Sequence, residues 1–119
     1  FILTGDMTDM PHVYKALDIL VLPSMMEGFG RVVVEAEAMQ IPVVVSAAGG
    51  LVEVVDPGKT GYIFSLDNDQ EMIDCLLQLC ANPSIRQQMG RAGREFVTDM
   101  FSKESMVKKT TALYMEVLK

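Results

Sequence analysis

The chain has 119 residues, enough for one small core and too few for two ordinary domains, and half of them are hydrophobic, which argues against disorder. Ten basic residues against sixteen acidic ones give a formal net charge of −6, an unsuitable surface for tracking nucleic-acid phosphates. No apolar run approaches the ~20 residues of a membrane helix, and the N-terminus lacks the order of a signal peptide.

The opening Phe1-Ile2-Leu3-Thr4-Gly5 has no starting Met and begins inside an expected strand at Ile2-Leu3-Thr4, as a piece cut from a longer protein would. Residues 8 to 17 place Met10, Val13, Tyr14 and Leu17 at helical spacing. Further strands are expected from Asp18 to Leu22, Pro42 to Ser46 and Gly61 to Phe64, with a helix over residues 30 to 40. The first three strands are nearly continuous in Ile, Leu and Val, the pattern of parallel strands covered on both faces. Strands alternating with helices make this an α/β chain, with a Rossmann-like parallel sheet of about four strands.

The second half is helical. Asn68 and Glu71 resemble a capping box ahead of the apolar stripe Met72, Ile73, Leu76, Leu77 and Cys80. Asn82-Pro83 opens a helix expected to run through Phe96, with Gly90 and Gly93 as weak points. Ser102 caps a last helix that has Met106, Val107, Leu113, Tyr114 and Val117 to bury. Cys75 and Cys80 lie about 8 Å apart on a helix, too far for an unstrained bridge. His12 is the only histidine and reads as a surface or half-buried residue.

In an open parallel sheet, ligands bind where strand ends lead into helix N-termini. Two loops fit that description. Pro23 to Glu35 follows the second strand and carries Glu27, Gly28, Phe29 and Gly30; Ala47-Ala48-Gly49-Gly50 follows the third. Glycines there let backbone amides approach an anion, and the helix dipole favours it. Glu27 and Glu35 would add carboxylates able to accept bonds from vicinal hydroxyls, provided the segment from Gly30 is a helix. The other reading makes them a loop acid and a solvated helix residue.

Leu22-Pro23-Ser24, Glu27-Gly28-Phe29-Gly30, Glu35-Ala36, Pro42-Val43-Val44, Gly49-Gly50, Glu53 and Thr60-Gly61 resemble, in this order, the C-terminal donor-binding domain of retaining glycosyltransferases of the GT-B fold, family 4 (group 1). Glu27 and Glu35, with seven residues between them, match the family's paired-glutamate signature. The resemblance implies a catalytic place for Glu27 at the donor sugar's hydroxyls. It implies backbone amides of Gly28, Phe29 and Gly30 along the sugar and pyrophosphate, those of Arg31 and Val32 at the phosphates, and Glu35 on the ribose diol. Gly5 to Met7 would border the base, while Gly49 and Gly50 either form the far wall of the pocket or simply turn the chain. Two positions depart from the family pattern: Gln40 stands where a Gly is usual and Glu37 where a Met is usual. Val32-Val33-Val34 is a β-branched run that by propensity prefers a strand.

On this resemblance residues 1–119 are a single domain, most of the nucleotide-sugar half of the enzyme, with the N-terminal acceptor domain and the first strands of this half absent. The implied donor is a UDP-, GDP- or ADP-sugar and the acceptor is unknown; no metal or cofactor is expected, and no nucleic acid. The parent would be cytoplasmic, free or peripheral at the inner membrane face. The resemblance implies that the phosphate-contacting Arg and Lys lie upstream of Phe1 and the acceptor site in the other domain, so the piece alone is expected to be inactive and to bind donor weakly. The balance of only Lys15, Arg31 and Lys59 against eight acids in the first sixty residues agrees with this. Self-association through a bared sheet edge and an uncovered apolar face of the last helix is a further expectation. A GT-B sugar-nucleotide epimerase and a degenerate association domain are the alternatives.

Overall fold

Three consecutive valines at 43–45 have no polar face to turn to solvent, so their segment forms a stable strand only if both its sides are covered. The computed structural model, which describes residues 1–119, places that segment at the centre of a three-stranded parallel sheet. In chain order the elements are α1 (Met10–Lys15), β1 (Leu20–Leu22), α2 (Arg31–Ala38), β2 (Val43–Ser46), a short 3-10 helix (Gly49–Glu53), β3 (Gly61–Phe64), α3 (Asp69–Ala81), α4 (Pro83–Phe101) and α5 (Lys103–Val117). Leu20, Val21 and Leu22 pair with Val43, Val44 and Val45, and Val43 to Ser46 pair with Gly61 to Phe64. Val43 and Val45 join Tyr14, Val33, Ala36, Leu51 and Val54 in one core, while Val44 turns the other way onto Phe64, Leu79 and Met89. Burying each of the Val, Leu, Phe and Met side chains among them contributes roughly 1.5–3 kcal/mol.

The expected α/β architecture with a helical tail is therefore present, with three strands rather than about four. Ile2-Leu3-Thr4 is not a strand: all three residues are exposed, and no main-chain hydrogen bond ties residues 1–8 to the body. Apolar content alone does not make a strand; a neighbour with free N–H and C=O groups must lie alongside. The Val32-Val33-Val34 run is helical, because Val33 and Ala36 on one face of α2 seal the core and outweigh propensity.

The helical half corrects three further expectations. Asn68 does cap α3 by accepting from the Glu71 amide at 3.2 Å, but the Glu71 carboxylate reaches back to the Ser65 amide (2.7 Å), not to Asn68. Asn82 makes no side-chain cap for α4; its Nδ2 donates to the Gln78 carbonyl (2.7 Å), and Arg86 donates to the carbonyls of Leu79 (2.6 Å) and Cys80 (3.1 Å), closing α3 instead. Gly90 and Gly93 do not weaken α4, which continues to Phe101. A Cβ at Gly90 would collide with the Gln40 carbonyl oxygen, and one at Gly93 would press on the Glu37 side chain, so both glycines let α4 lie directly on α2 and the turn after it. Ser102 caps α5 through the Ser105 amide (3.2 Å), yet Met106, Val107, Leu113, Tyr114 and Val117 are all exposed, because no element of this chain covers that helix.

Two local conflicts sit at the α2–α4 contact. Gln40 has φ 63°, in the left-handed region that costs a residue with a Cβ about 1 kcal/mol. Glu37 is fully buried, and neither of its carboxylate oxygens has a hydrogen-bond partner. Burial pushes its carboxyl up to about 8, tempered by nearby Thr60 and reinforced by the charge of Asp56. The folded chain thus holds a proton that the unfolded chain releases near 4.5, so stability is full below that pH and is lost as pH rises through about 8. Glu37→Met is expected to stabilise the chain by about 4 kcal/mol at pH 8 and by about 1 kcal/mol at pH 5, measured by urea unfolding at both pH values. Gln40→Gly should add about 1 kcal/mol at either pH, and no change in the urea midpoint would contradict the strain at this turn.

Candidate functional site

The carboxyl ends of β1 and β2 lie side by side, and the loops that leave them are joined through their backbones. The buried Ser46 hydroxyl donates to the Ser24 carbonyl at 2.6 Å, fixing the start of the first loop on the end of β2. The Gly50 amide donates to the Glu27 carbonyl at 2.9 Å. A Cβ on Gly50 would overlap the Gly28 carbonyl oxygen, and one on Gly49 would overlap that of Glu27. Of the two roles open to Gly49 and Gly50, close backbone packing against the Glu27-Gly28 segment is the one the geometry displays. The helix expected to follow this loop is the short 3-10 helix that begins directly after Ala48.

Gly30 ends the first loop at φ 84°, a left-handed start for α2. It is buried against Leu51, whose Cδ2 would lie 2.6 Å from an added Cβ. Its carbonyl accepts the amides of Val33 (2.9 Å) and Val34 (3.3 Å), and no side chain caps the helix. The amides of Arg31 and Val32 consequently have no acceptor within α2 and form the exposed positive end of its dipole. Gly28, Phe29, Arg31 and Val32 are all exposed along this path, and Glu27 is half-buried with no hydrogen bond or ion pair to its carboxylate. The Phe29 ring turns aside and meets Phe101 edge-on, with centroids 5.4 Å apart, so it is the Phe29 backbone that borders the loop.

Glu35 lies one turn into α2 with its side chain 40% exposed. Its Oε2 accepts a hydrogen bond from the Tyr14 hydroxyl at 2.8 Å, and Arg31 approaches Oε1 at 3.4 Å. The Arg31 contact is exposed and long and contributes little. Tyr14 differs: it is buried in the core, and burial together with the Glu35 carboxylate pushes its phenol up to about 12. Sequence reasoning counted Tyr14 only as an apolar helix position, although a buried tyrosine hydroxyl calls for a partner. Tyr14 and Glu35 also line a groove of about 390 Å³ whose other walls are Met10, Pro11, Ala38 and Met39. Gly5 to Met7 lie in the exposed N-terminal segment, and His12 is an exposed residue bonded to Asp9 at 2.7 Å.

The arrangement offers, within one crevice edge, free backbone amides at a helix start and an accessible carboxylate held by a phenol. That combination suits a ligand with an anionic group and adjacent hydroxyls. Because Gly50 touches the backbone of the first loop, Gly50→Ala is expected to destabilise the chain by about 2 kcal/mol and to shift the amide NMR signals of Glu27 to Gly30, with those of α3 unmoved. Unmoved Glu27 to Gly30 signals would show that the two loops do not constrain one another.

The family profile described as "Glycosyl transferases group 1" matches residues 1–96. The capsular polysaccharide biosynthesis glycosyltransferase CapM of Staphylococcus aureus is 28% identical over 118 residues, covering 99% of this chain and 31% of that protein. The D-inositol 3-phosphate glycosyltransferase of Mycobacterium bovis is 38% identical over 114 residues, covering 93% of this chain and 23% of its own length. Among solved structures, a TarM variant of S. aureus in complex with fondaparinux, alpha-GlcNAc-glycerol and UDP superposes with a TM-score of 0.87 at 28% identity, over 95% of this chain and 23% of that one. The chain spans less than a third of the length of these relatives. Its α/β body with a parallel sheet and helical tail is that of GT-B glycosyltransferase structures, and the chain belongs to the group 1 glycosyl transferases.

Proposed function

We propose that residues 1–119 form the donor-binding domain of a retaining, family 4 glycosyltransferase, which moves a sugar from a nucleotide diphosphate sugar to an acceptor hydroxyl with its anomeric configuration kept. The observation that carries this reading is the uncapped start of α2 at the left-handed Gly30, with Glu35 one turn later on the same helix. A departing nucleoside diphosphate needs its growing negative charge met by fixed donors, and preorganised amides at a helix start are such donors.

In this reading the amides of Arg31 and Val32 meet the phosphates, and those of Gly28, Phe29 and Gly30 line the pyrophosphate and sugar. Glu35 accepts the two ribose hydroxyls, and Glu27 holds the hydroxyls of the transferred sugar as the catalytic carboxylate. The apolar groove that Met10, Pro11, Ala38 and Met39 form beside Glu35 offers surface to a ring beyond the ribose. The presence of UDP with the 28% identical TarM supports a UDP-, GDP- or ADP-sugar as donor. The acceptor sits on another domain of the parent enzyme. Lys15, Arg31 and Lys59 are the only cations in the half that holds the loops, so the isolated domain binds donor weakly and turns over nothing. No helix here is long and apolar enough to cross a membrane, and the proposed setting is the cytoplasm or its membrane face.

Calorimetric titration with UDP-glucose, GDP-mannose, UDP and GDP tests this. The expected result is weak binding of one nucleotide class, lowered at least tenfold by Glu35→Ala, with no sugar transfer by the isolated chain. Equal affinity in Glu35→Ala would remove Glu35 from the ribose, and turnover would overturn the inactivity.

A further inference from the structure

We infer that Tyr14 is the positioning residue for Glu35: its hydroxyl, held in the core, fixes the carboxylate in the orientation that receives a diol. The inference rests on the reading of Glu35 as the diol acceptor.

A glutamate on an exposed helix surface samples several rotamers, and ordering it on a ligand costs the entropy of its torsions. Glu35 has 40% of its side chain exposed, and its own helix offers only the exposed Arg31 at 3.4 Å. The Tyr14 bond is of another kind. It spans 21 residues, joins α1 to α2, and measures 2.8 Å with the donor 3% exposed. Tyr14 cannot follow a moving carboxylate, because its ring is packed in the same core cluster as Val33, Ala36 and Val43. A tyrosine hydroxyl has one proton to give, and giving it to Oε2 leaves Oε1 and the second lone pair of Oε2 to accept from a ligand. Burial and the neighbouring carboxylate push the phenol up to about 12, so it keeps its proton to donate through the physiological range.

The phenol also sits where α1 meets α2, so the short α1 is tied to the site through one bond. Removing the hydroxyl with Tyr14→Phe keeps the ring in the core and releases the carboxylate. A purely structural role would lower stability without touching the preference for a ribose over a ring lacking one of its hydroxyls.

The test compares UDP, or GDP if that is the nucleotide bound, with its 2′-deoxy form in the wild type, Tyr14→Phe, Glu35→Ala and the double variant. The wild type is expected to favour the ribonucleotide about tenfold, Tyr14→Phe about threefold, and both variants lacking Glu35 not at all. A tenfold preference retained in Tyr14→Phe would overturn the inference while leaving Glu35 in place. A preference retained in Glu35→Ala would overturn the reading of Glu35 itself. A ligand-free measurement decides the matter whatever the affinity. Side-chain NMR couplings should report one χ1 rotamer for Glu35 in the wild type and averaging in Tyr14→Phe, and a single rotamer in both would overturn the inference.

Discussion

The site depends on two loops approaching until their backbones touch. The Gly50 amide reaches the Glu27 carbonyl at 2.9 Å only because neither Gly49 nor Gly50 carries a side chain to hold the first loop away. That approach is possible because β1 and β2 are adjacent and parallel, so their carboxyl ends and the loops that follow emerge together. Ser46, at the last position of β2, completes the join by donating to Ser24. The glycine path from Gly28 to Gly30 is therefore set by the sheet and not by the loop's own preferences. A rigid path matters because amides stabilise an anion best when they need not reorganise to meet it.

Helix α2 connects this path to the rest of the molecule, and its faces divide the work. Successive residues turn by about 100°, so Val33 and Ala36 share the core side while Glu35 and Glu37 lie about 200° apart. One glutamate consequently reaches the crevice, and the other is pressed between α2 and α4 without a partner. The uncompensated carboxyl at Glu37 and the left-handed Gln40 both belong to the α2–α4 contact, on the side of the helix away from Glu35. Their cost falls on stability.

Much of this was legible in the residues. The valines of β2 announce a strand buried on both faces, and the spacing from Glu27 through Gly30 to Glu35 marks a loop entering a helix. Other features depend on what lies alongside, which a single segment does not encode. Ile2-Leu3-Thr4 has strand composition but no strand beside it, and the apolar residues of α5 have nothing of this chain to cover them. Gly90 reads as a helix weakness until α4 is laid on the Gln40 carbonyl, where its missing side chain becomes the reason the helix fits. Tyr14 was half legible: its place on the apolar stripe was plain, but its partner lies 21 residues away on another helix.

The charge balance explains why such a site is built from backbone. Eight acids surround three cations in the first sixty residues, and of those cations Arg31 leans on Glu35 while Lys59 pairs with Asp56 at 3.6 Å. Side-chain cations are thus poorly placed to neutralise a diphosphate. A helix start supplies about half a unit of positive charge, less than a diphosphate carries, so amides alone orient such a ligand more than they neutralise it. On the proposed reading Glu35 and Tyr14 serve orientation too, one by accepting from hydroxyls and the other, through its 2.8 Å bond, by holding the acceptor still. On that reading the α2 crevice fixes where a donor lies, and the remaining charge compensation falls to groups outside it.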